Sequence, residues 1–140
     1  MHLPEHPLFQ ELKKLALPQG EYAVFGSGPM WMRGIRESND LDVICRGSAW
    51  EQAQTHGKVQ IKENGLECVR FAEGNIEIYR DWDPGKWNID ELIDTAEIVD
   101  GIPFARLDFV IDWKKKMGRE KDQKDLALIK KYLSKNTGII

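Results

Sequence analysis

Residues 40–43 read Asp40-Leu41-Asp42-Val43, and this alternation of acidic and apolar side chains is the most informative stretch of the chain. Successive side chains of a β-strand point to opposite faces of the sheet, so Leu41 and Val43 are expected to face the core. Asp40 and Asp42 then share the other face, about 6.6 Å apart along the strand. The stretch therefore predicts a half-buried strand that carries a pair of carboxylates.

A second alternating stretch, Ile76-Glu77-Ile78-Tyr79, repeats this pattern. If the two strands are neighbours, Glu77 joins Asp40 and Asp42 in one cluster. A like-charged pair about 4 Å apart costs on the order of 4 kcal/mol at an effective dielectric of 20. Either one carboxyl group is protonated or a cation lies among the three, and hard oxygen ligands with open positions suit Mg²⁺.

The turn Gly26-Ser27-Gly28 lies between an apolar run that predicts a buried strand and a helix that Pro29 is suited to begin. Such a turn exposes unpaired backbone N–H groups and the positive end of the helix dipole, which together receive phosphate. The Ser27 hydroxyl adds a donor. Each motif alone is more often structural, but acids beside an anion-binding turn meet the requirements of phosphoryl or nucleotidyl transfer.

The remaining sequence predicts a mixed α/β or α+β sheet flanked by helices, in one domain over residues 1–140. No repeat, low-complexity segment or long Gly, Ser or Pro linker divides the chain. Helical spacing and turn residues place the elements. The predicted helices cover 8–15, a short segment from 29, 48–55, 88–93, 107–117 and 120–133, and the predicted strands 22–25, 41–45, 59–61, 66–71, 76–79, 97–99 and 102–104.

The composition, with 41% hydrophobic and 31% charged residues, excludes a disordered, collagen-like or coiled-coil chain. No apolar run approaches the roughly 20 residues of a membrane span, and the first residues lack the basic and apolar regions of a signal peptide. We therefore expect a cytoplasmic protein with no membrane partner. Cys45 and Cys68 lie in apolar strand-like segments and are expected to be buried free thiols.

The net charge of −3 conceals a basic region near the C-terminus. Residues 113–135 carry nine Lys and Arg but only three Asp and Glu. A Lys-rich amphipathic helix usually presents a solvated face, and binding of nucleic acid or another anion is the alternative. Charge alone therefore assigns no partner.

Phe25-Gly26-Ser27, followed by the segment from Arg36 to Val43, resembles the signature of the nucleotidyltransferase superfamily related to DNA polymerase beta. That signature is an apolar residue, Gly, Gly or Ser, a short helix, and then Asp, an apolar residue, and Asp or Glu. The closing region from Gly101 to Leu126 is similar to that of small bacterial nucleotidyltransferase-like proteins, including abortive-infection type toxins. The resemblance spans residues 20–133.

The resemblance implies a nucleotidyltransferase-like mixed, twisted sheet and a Mg²⁺-dependent enzyme. Such an enzyme moves a nucleoside monophosphate from a nucleoside triphosphate to an acceptor hydroxyl and releases pyrophosphate. Gly26 and Ser27 would hold the triphosphate, and Asp40 and Asp42 would ligate one or two Mg²⁺.

The third acid of the family falls on Glu77. In the family this acid ligates the metal near the attacking group and accepts its proton, a role that an ionised carboxylate can fill. Many members have Asp at this place, so Asp81, two positions beyond Tyr79, is the alternative.

The resemblance also implicates Lys114 and Asp125. A Lys near the phosphates neutralises charge as pyrophosphate leaves, and an Asp fixes that ammonium or touches the metal shell. Arg36 flanks the site and is a further candidate phosphate contact. The structural alternative is that Lys114 belongs to a solvated cationic run and that Asp125 pairs with Lys121 one helical turn away.

The acceptor is not specified by the sequence, and a small molecule, a tRNA and a protein side chain all remain candidates. A chain of 140 residues has little room for an acceptor domain, so a homodimer or a protein partner would complete the cleft. The alternative function is a catalytically silent nucleotide-binding or antitoxin-like interaction module of the same fold. Convergence of Asp40, Asp42 and Glu77 within metal-bridging reach would favour the enzyme. A Glu77 side chain that points into the core or lies across the sheet would favour the module.

Overall fold

The computed structural model describes residues 2–137. The ends of the predicted 1–140 domain, residue 1 and residues 138–140, lie outside the described residues. The strands are Tyr22–Phe25 (β1), Leu41–Cys45 (β2), Gln60–Ile61 (β3), Glu67–Phe71 (β4), Ile76–Tyr79 (β5), Glu97–Val99 (β6) and Ile102–Phe104 (β7). The α-helices are Pro7–Lys14 (α1), Gly28–Met32 (α2), Gly47–His56 (α3), Ile89–Asp94 (α4), Leu107–Met117 (α5) and Glu120–Thr137 (α6).

The strands form one mixed sheet in the order β3-β4-β5-β2-β1-β7-β6. The β2–β5 and β1–β7 pairs are parallel, and the other neighbours are antiparallel. This confirms the mixed sheet flanked by helices that the sequence predicts. The two alternating stretches of the sequence are therefore central neighbours, β2 and β5.

Side-chain alternation divides the sheet into two faces, as expected for a strand period of two. Leu41 and Val43 of β2 are fully buried on one face, in the core that includes α1 and α3. Ile44 is buried on the other face, where α4, α5 and α6 pack. Asp42 shares the face of Ile44, so its carboxylate lies between the sheet and the C-terminal helices.

An aromatic cluster packs the C-terminal helices against the sheet. The Phe25 ring lies 5.1 Å from that of Trp82, 5.5 Å from Trp87 and 5.9 Å from Trp113. Pairs of this kind contribute about 0.5–1.5 kcal/mol each beyond the area they bury. Because Trp113 belongs to α5, the cluster fixes the following residue, Lys114, over the sheet.

Glu73-Gly74-Asn75, between the predicted strands 66–71 and 76–79, is a hairpin signal, and a connection at this place joins the antiparallel strands β4 and β5. The connection is a 3₁₀ turn over Ala72–Gly74, in which Ala72 and Glu73 have φ angles of 50° and 59°. The register pairs Phe71 with Ile76, so the four residues 72–75 connect the strands, as the predicted strand bounds also imply. The sequence signal located the turn but not its geometry.

Two further predictions concern the cysteines and the membrane. Cys45 and Cys68 are buried and free, as predicted, and burial raises the pKa of Cys45 to about 12. None of the helices within residues 2–137 has the length and apolar character that crossing a membrane requires.

Candidate functional site

A cavity of about 440 Å³ lies between the site-bearing face of the sheet and helices α5 and α6. Its volume falls in the range typical of small-molecule sites. Its wall carries nearly balanced charge, with five basic side chains, Arg36, Lys62, Lys114, Arg119 and Lys121, and six acidic side chains, Asp40, Asp42, Glu77, Asp83, Asp122 and Asp125.

Asp40, Asp42 and Glu77, which we call the acidic side, all line this cavity. Asp42 and Glu77 are direct partners in the parallel β2–β5 register, so their side chains leave neighbouring strands on the same face. Burial, with the nearby charges of Asp40 and Glu77, raises the pKa of Asp42 to about 7. Asp42 and Glu77 thus share one face of the sheet, and Asp40, which lies just before β2, lines the same cavity.

Asp40 lies just before β2 and is exposed to solvent. The Ser38 hydroxyl donates to Asp40 Oδ1 over 3.3 Å and accepts from the Asp40 backbone N–H over 3.5 Å. These contacts orient the carboxylate locally and leave it open to the cavity. Asp40 and Asp42 both line the cavity, and the charge of Asp40 contributes to the raised pKa of Asp42.

The backbone of Gly26 packs directly against the Asp42 carboxylate. Its φ angle is +58°, a region that side chains other than glycine seldom adopt, and a Cβ at this position would lie 2.7 Å from Asp42 Oδ2. The glycine is therefore required because the backbone passes so close to the acid. Its role in the structure is to bring Asp42 next to the following residue, Ser27.

Glu77 is engaged by three neighbours. Its Oε1 accepts from Lys62 Nζ over 3.2 Å and from Tyr79 Oη over 2.9 Å, and its Oε2 accepts from Arg70 Nε over 2.7 Å. Burial opposes ionisation, but these hydrogen bonds outweigh it and lower the pKa of Glu77. Both carboxylate oxygens of Glu77 are thus occupied by protein donors.

The acidic side does not form a three-ligand metal cage. Within residues 2–137, no group of three or more His, Cys, Asp or Glu side chains is arranged to hold a metal ion. Mg²⁺ is commonly bound through one or two carboxylates with substrate phosphates and water completing its shell. Asp40 and Asp42 fit that requirement, since a cation would relieve their mutual repulsion, whereas Glu77 does not fit while Lys62 and Arg70 hold it.

Ser27, Arg36, Lys114 and Asp125 form what we call the cationic network. Arg36 makes a bidentate ion pair with Asp125, at 2.7 and 2.8 Å, and its Nη2 also donates to Ser27 Oγ over 2.9 Å. Lys114 Nζ contacts Asp125 Oδ2 at 2.8 Å and donates to Ser27 Oγ over 3.4 Å. The structure therefore joins the predicted turn of β1 to the predicted tail residues.

Lys114 is a buried cation, with only 2% of its surface exposed. The alternative of a solvated Lys114 and a local Asp125–Lys121 pair is therefore wrong. Burial opposes ionisation of Asp125, but the hydrogen bonds from Arg36 and Lys114 prevail and lower its pKa. The network holds one more positive than negative charge beside the Ser27 hydroxyl, which is suited to an anion.

The sequence predicts that the dipole of the following helix supplies positive charge at the Ser27 turn, but the structure shows another source. The helix that follows, α2, has only five residues, and the Ser27 side chain makes no capping hydrogen bond. A helix this short carries a weak dipole. The positive charge at the turn comes instead from Arg36 and Lys114.

The sequence assigned no role to several residues of the cavity wall, among them Lys62, Arg119 and Asp122. Asp122 is fully buried, lies 3.8 Å from Lys114 and is paired with Arg119. It also accepts from the Arg119 backbone N–H over 3.1 Å, which is the acidic half of a capping box at the start of α6. The acid three residues after Arg119 was a readable signal, whereas Lys62 had none.

Asp81 lies beyond the end of β5. Its Oδ1 accepts from the Trp82 backbone N–H over 2.8 Å. Glu77, rather than Asp81, is in register with Asp42.

Comparison with known proteins bears on the fold. No protein-family model and no curated protein matches the chain. The structure is similar to that of a candidate nucleotidyltransferase from Thermotoga maritima, with a TM-score of 0.61 and 18% sequence identity over 96% of this chain and 97% of that one. The Helicobacter pylori protein JHP933 also aligns, with 18% identity over 80% of this chain and 57% of its own and a TM-score of 0.41. The chain thus has a nucleotidyltransferase-like fold.

Proposed function

We propose that this protein is a Mg²⁺-dependent nucleotidyltransferase. It binds a nucleoside triphosphate, transfers the nucleoside monophosphate to an acceptor hydroxyl and releases pyrophosphate. The observation that carries the proposal is the position of two consecutive residues. Gly26 packs closely against the Asp42 carboxylate, and the Ser27 hydroxyl accepts hydrogen bonds from Arg36 and Lys114. A single cavity therefore offers carboxylates for a cation and, next to them, cations for a polyphosphate.

The cationic network binds the triphosphate. The Ser27 hydroxyl and the guanidinium of Arg36 donate to phosphate oxygens, and Lys114 neutralises the charge that develops on the leaving pyrophosphate. Asp125 keeps both cations in place before the substrate arrives, because it contacts each of them at 2.7–2.8 Å. Such preorganised charge stabilises a transition state without reorganisation.

Asp40 and Asp42 hold the divalent cation. When bound, Mg²⁺ would polarise the phosphoryl oxygens and neutralise their charge. The two acids supply the negative charge that attracts the ion, and Gly26 fixes Asp42 against the nucleotide turn. Glu77 shares the face and the cavity of Asp42, but among the described residues the three acids do not gather as a metal site. The proposal of an enzyme is therefore supported by Asp40, Asp42 and the adjacent cations rather than by Glu77.

The acceptor comes from outside the cavity wall. We propose a cytoplasmic reaction in which the hydroxyl belongs to a small molecule, a tRNA or a protein side chain. A second copy of the chain or a partner protein would complete the acceptor side of the cleft.

The direct test is transfer of label from each α-³²P-labelled nucleoside triphosphate to candidate acceptors in Mg²⁺. We expect the Asp40→Ala/Asp42→Ala variant to lose at least about 100-fold in transfer, the scale of removing electrostatic stabilisation. The Asp108→Ala/Asp112→Ala variant is the matched control, since it removes two carboxylates from α5 that do not line the cavity. Equal transfer by the wild type and the Asp40/Asp42 variant would refute the proposal.

A further inference from the structure

Lys62 occupies a fixed position at the base of the loop between β3 and β4. Its backbone N–H donates to Leu66 O over 2.9 Å, and its carbonyl accepts from the Gly65 N–H over 2.8 Å. The Asn64 side chain also accepts from the Leu66 N–H over 3.0 Å. These bonds order the loop, so the Lys62 side chain enters the cavity from a defined backbone.

The ammonium of Lys62 lies on the acidic side. It contacts Glu77 Oε1 at 3.2 Å and donates to Tyr79 Oη over 2.9 Å, while the Tyr79 hydroxyl itself donates to Glu77. Among the described residues these contacts use two of the three ammonium donors. About a third of the Lys62 side chain is exposed, so the remaining N–H can reach a ligand in the cavity.

Two carboxylates in register on adjacent strands can both be ionised only if a positive charge lies beside them. Neighbouring strands are about 4.8 Å apart, a spacing at which like charges repel by a few kcal/mol in a partly buried site. A second metal ion is one source of positive charge for Asp42 and Glu77. Lys62 supplies that charge from the protein itself, and Arg70 occupies the other oxygen of Glu77.

We propose that Lys62, held by Glu77 and Tyr79, is the built-in cation of the acidic side, so that the cavity takes one divalent cation at Asp40 and Asp42 rather than two. Glu77 is then a positioning residue for Lys62 and not a metal ligand. The inference rests on the proposed function, and it departs from the role that family resemblance gives to Glu77.

The test is the stoichiometry and affinity of Mn²⁺ binding, by calorimetry and electron paramagnetic resonance, alone and with a non-hydrolysable ATP analogue. The wild type should bind one Mn²⁺ per chain. Glu77→Gln should change the affinity by no more than about threefold, whereas Asp42→Asn should weaken it by at least about tenfold. Circular dichroism checks that each variant is folded.

Lys62 variants give the complementary result. Lys62→Met removes the cation from Glu77 Oε1, the oxygen that Arg70 does not contact, and should admit a second Mn²⁺ there. Lys62→Arg should restore a stoichiometry of one. Lys58→Met is the matched control, because Lys58 is exposed and does not line the cavity. If Lys62→Met does not fold, the Mn²⁺ stoichiometry of the wild type and the Mn²⁺ affinity of Glu77→Gln still test whether Glu77 is a metal ligand.

Two Mn²⁺ ions in the wild type, or a loss of about tenfold or more in Glu77→Gln, would show that Glu77 contributes to metal binding and would overturn the inference. The inference would also fail if Lys62→Met bound Mn²⁺ as the wild type does. No Mn²⁺ binding by the wild type under either condition would instead remove the proposed function, and the inference with it.

Discussion

The backbone of Gly26 lies so close to Asp42 that a Cβ on Gly26 would stand 2.7 Å from Asp42 Oδ2. The next residue, Ser27, accepts hydrogen bonds from Arg36 and Lys114. Two consecutive residues, Gly26 and Ser27, thus connect the acidic side to the cationic network. The two halves of the cavity are held at a fixed separation by the backbone rather than by flexible side chains.

Gly26→Ala should therefore lower the free energy of unfolding by more than the cost of placing alanine at a positive φ angle. An alanine in the left-handed region costs about 1–2 kcal/mol, and the contact with Asp42 adds to it. Gly34→Ala is the control, since Gly34 has a similar φ of +73° but a Cβ there would meet nothing within 4 Å. Urea denaturation of both variants measures the difference, and equal losses would show that the Gly26–Asp42 contact does not constrain the loop.

Asp125→Ala should lower the free energy of unfolding by about 3 kcal/mol, because removal of one partner leaves buried charge without compensation. Asp125 is 5% exposed, and it serves both Arg36 and Lys114. Lys124→Ala, which removes an exposed ion pair of the same helix, should cost less than about 1 kcal/mol. The midpoints of urea unfolding compare the two, and similar costs would argue against a buried network.

Asp42 should make the metal-free protein less stable as the pH rises from about 4 to 7. Its folded pKa, about 7, lies above the value near 4 expected in the unfolded chain, so the folded state binds the extra proton in this window. Stability is therefore lost on ionisation, by on the order of a few kcal/mol. Asp42→Asn removes the titration.

The melting temperature in EDTA at pH 5 and pH 8 tests this dependence. Asp42→Asn should raise the melting temperature relative to the wild type at pH 8 and much less at pH 5. An equal effect at both values would mean that Asp42 titrates normally.

Arg36→Lys should weaken triphosphate binding even though the charge is kept. A lysine cannot make the bidentate pair with Asp125 and also donate to Ser27, as Arg36 does. We expect a loss of about tenfold in affinity, which corresponds to about 1.4 kcal/mol. Fluorescence titration with a labelled triphosphate measures the affinity. Arg106→Lys, which changes an exposed ion pair, is the control. If both variants bound the triphosphate as the wild type does, Arg36 would not belong to the binding site.

The sequence predicted the parts of the site that depend on local pattern. Alternation placed Asp42 and Glu77 on one face of their strands, because a strand has a period of two whatever its neighbours are. The pairing of β2 with β5, which makes the two acids partners, depends on the strand order, and the local sequence pattern does not specify that order. Lys114 and Asp125 came from family resemblance, since charge patterning alone favoured a solvated helix.

Lys62 could not be predicted, for a physical reason. It lies in a hairpin loop, where no periodicity assigns a side chain to a face. Its contacts with Glu77 and Tyr79 arise only when β3, β4 and β5 assemble in that order. The counter-ion of the acidic side is thus a product of tertiary structure.

We expect Asp40 and Asp42 to bind one Mg²⁺–triphosphate complex together with the cationic network. Equilibrium binding of a non-hydrolysable ATP analogue, with Mg²⁺ and with EDTA, tests it in the wild type, Lys114→Met and Asp40→Asn/Asp42→Asn. We predict Mg²⁺-dependent binding by the wild type and a loss of at least about tenfold in each variant. Equal affinity in all three proteins, or wild-type binding indifferent to Mg²⁺, would contradict it.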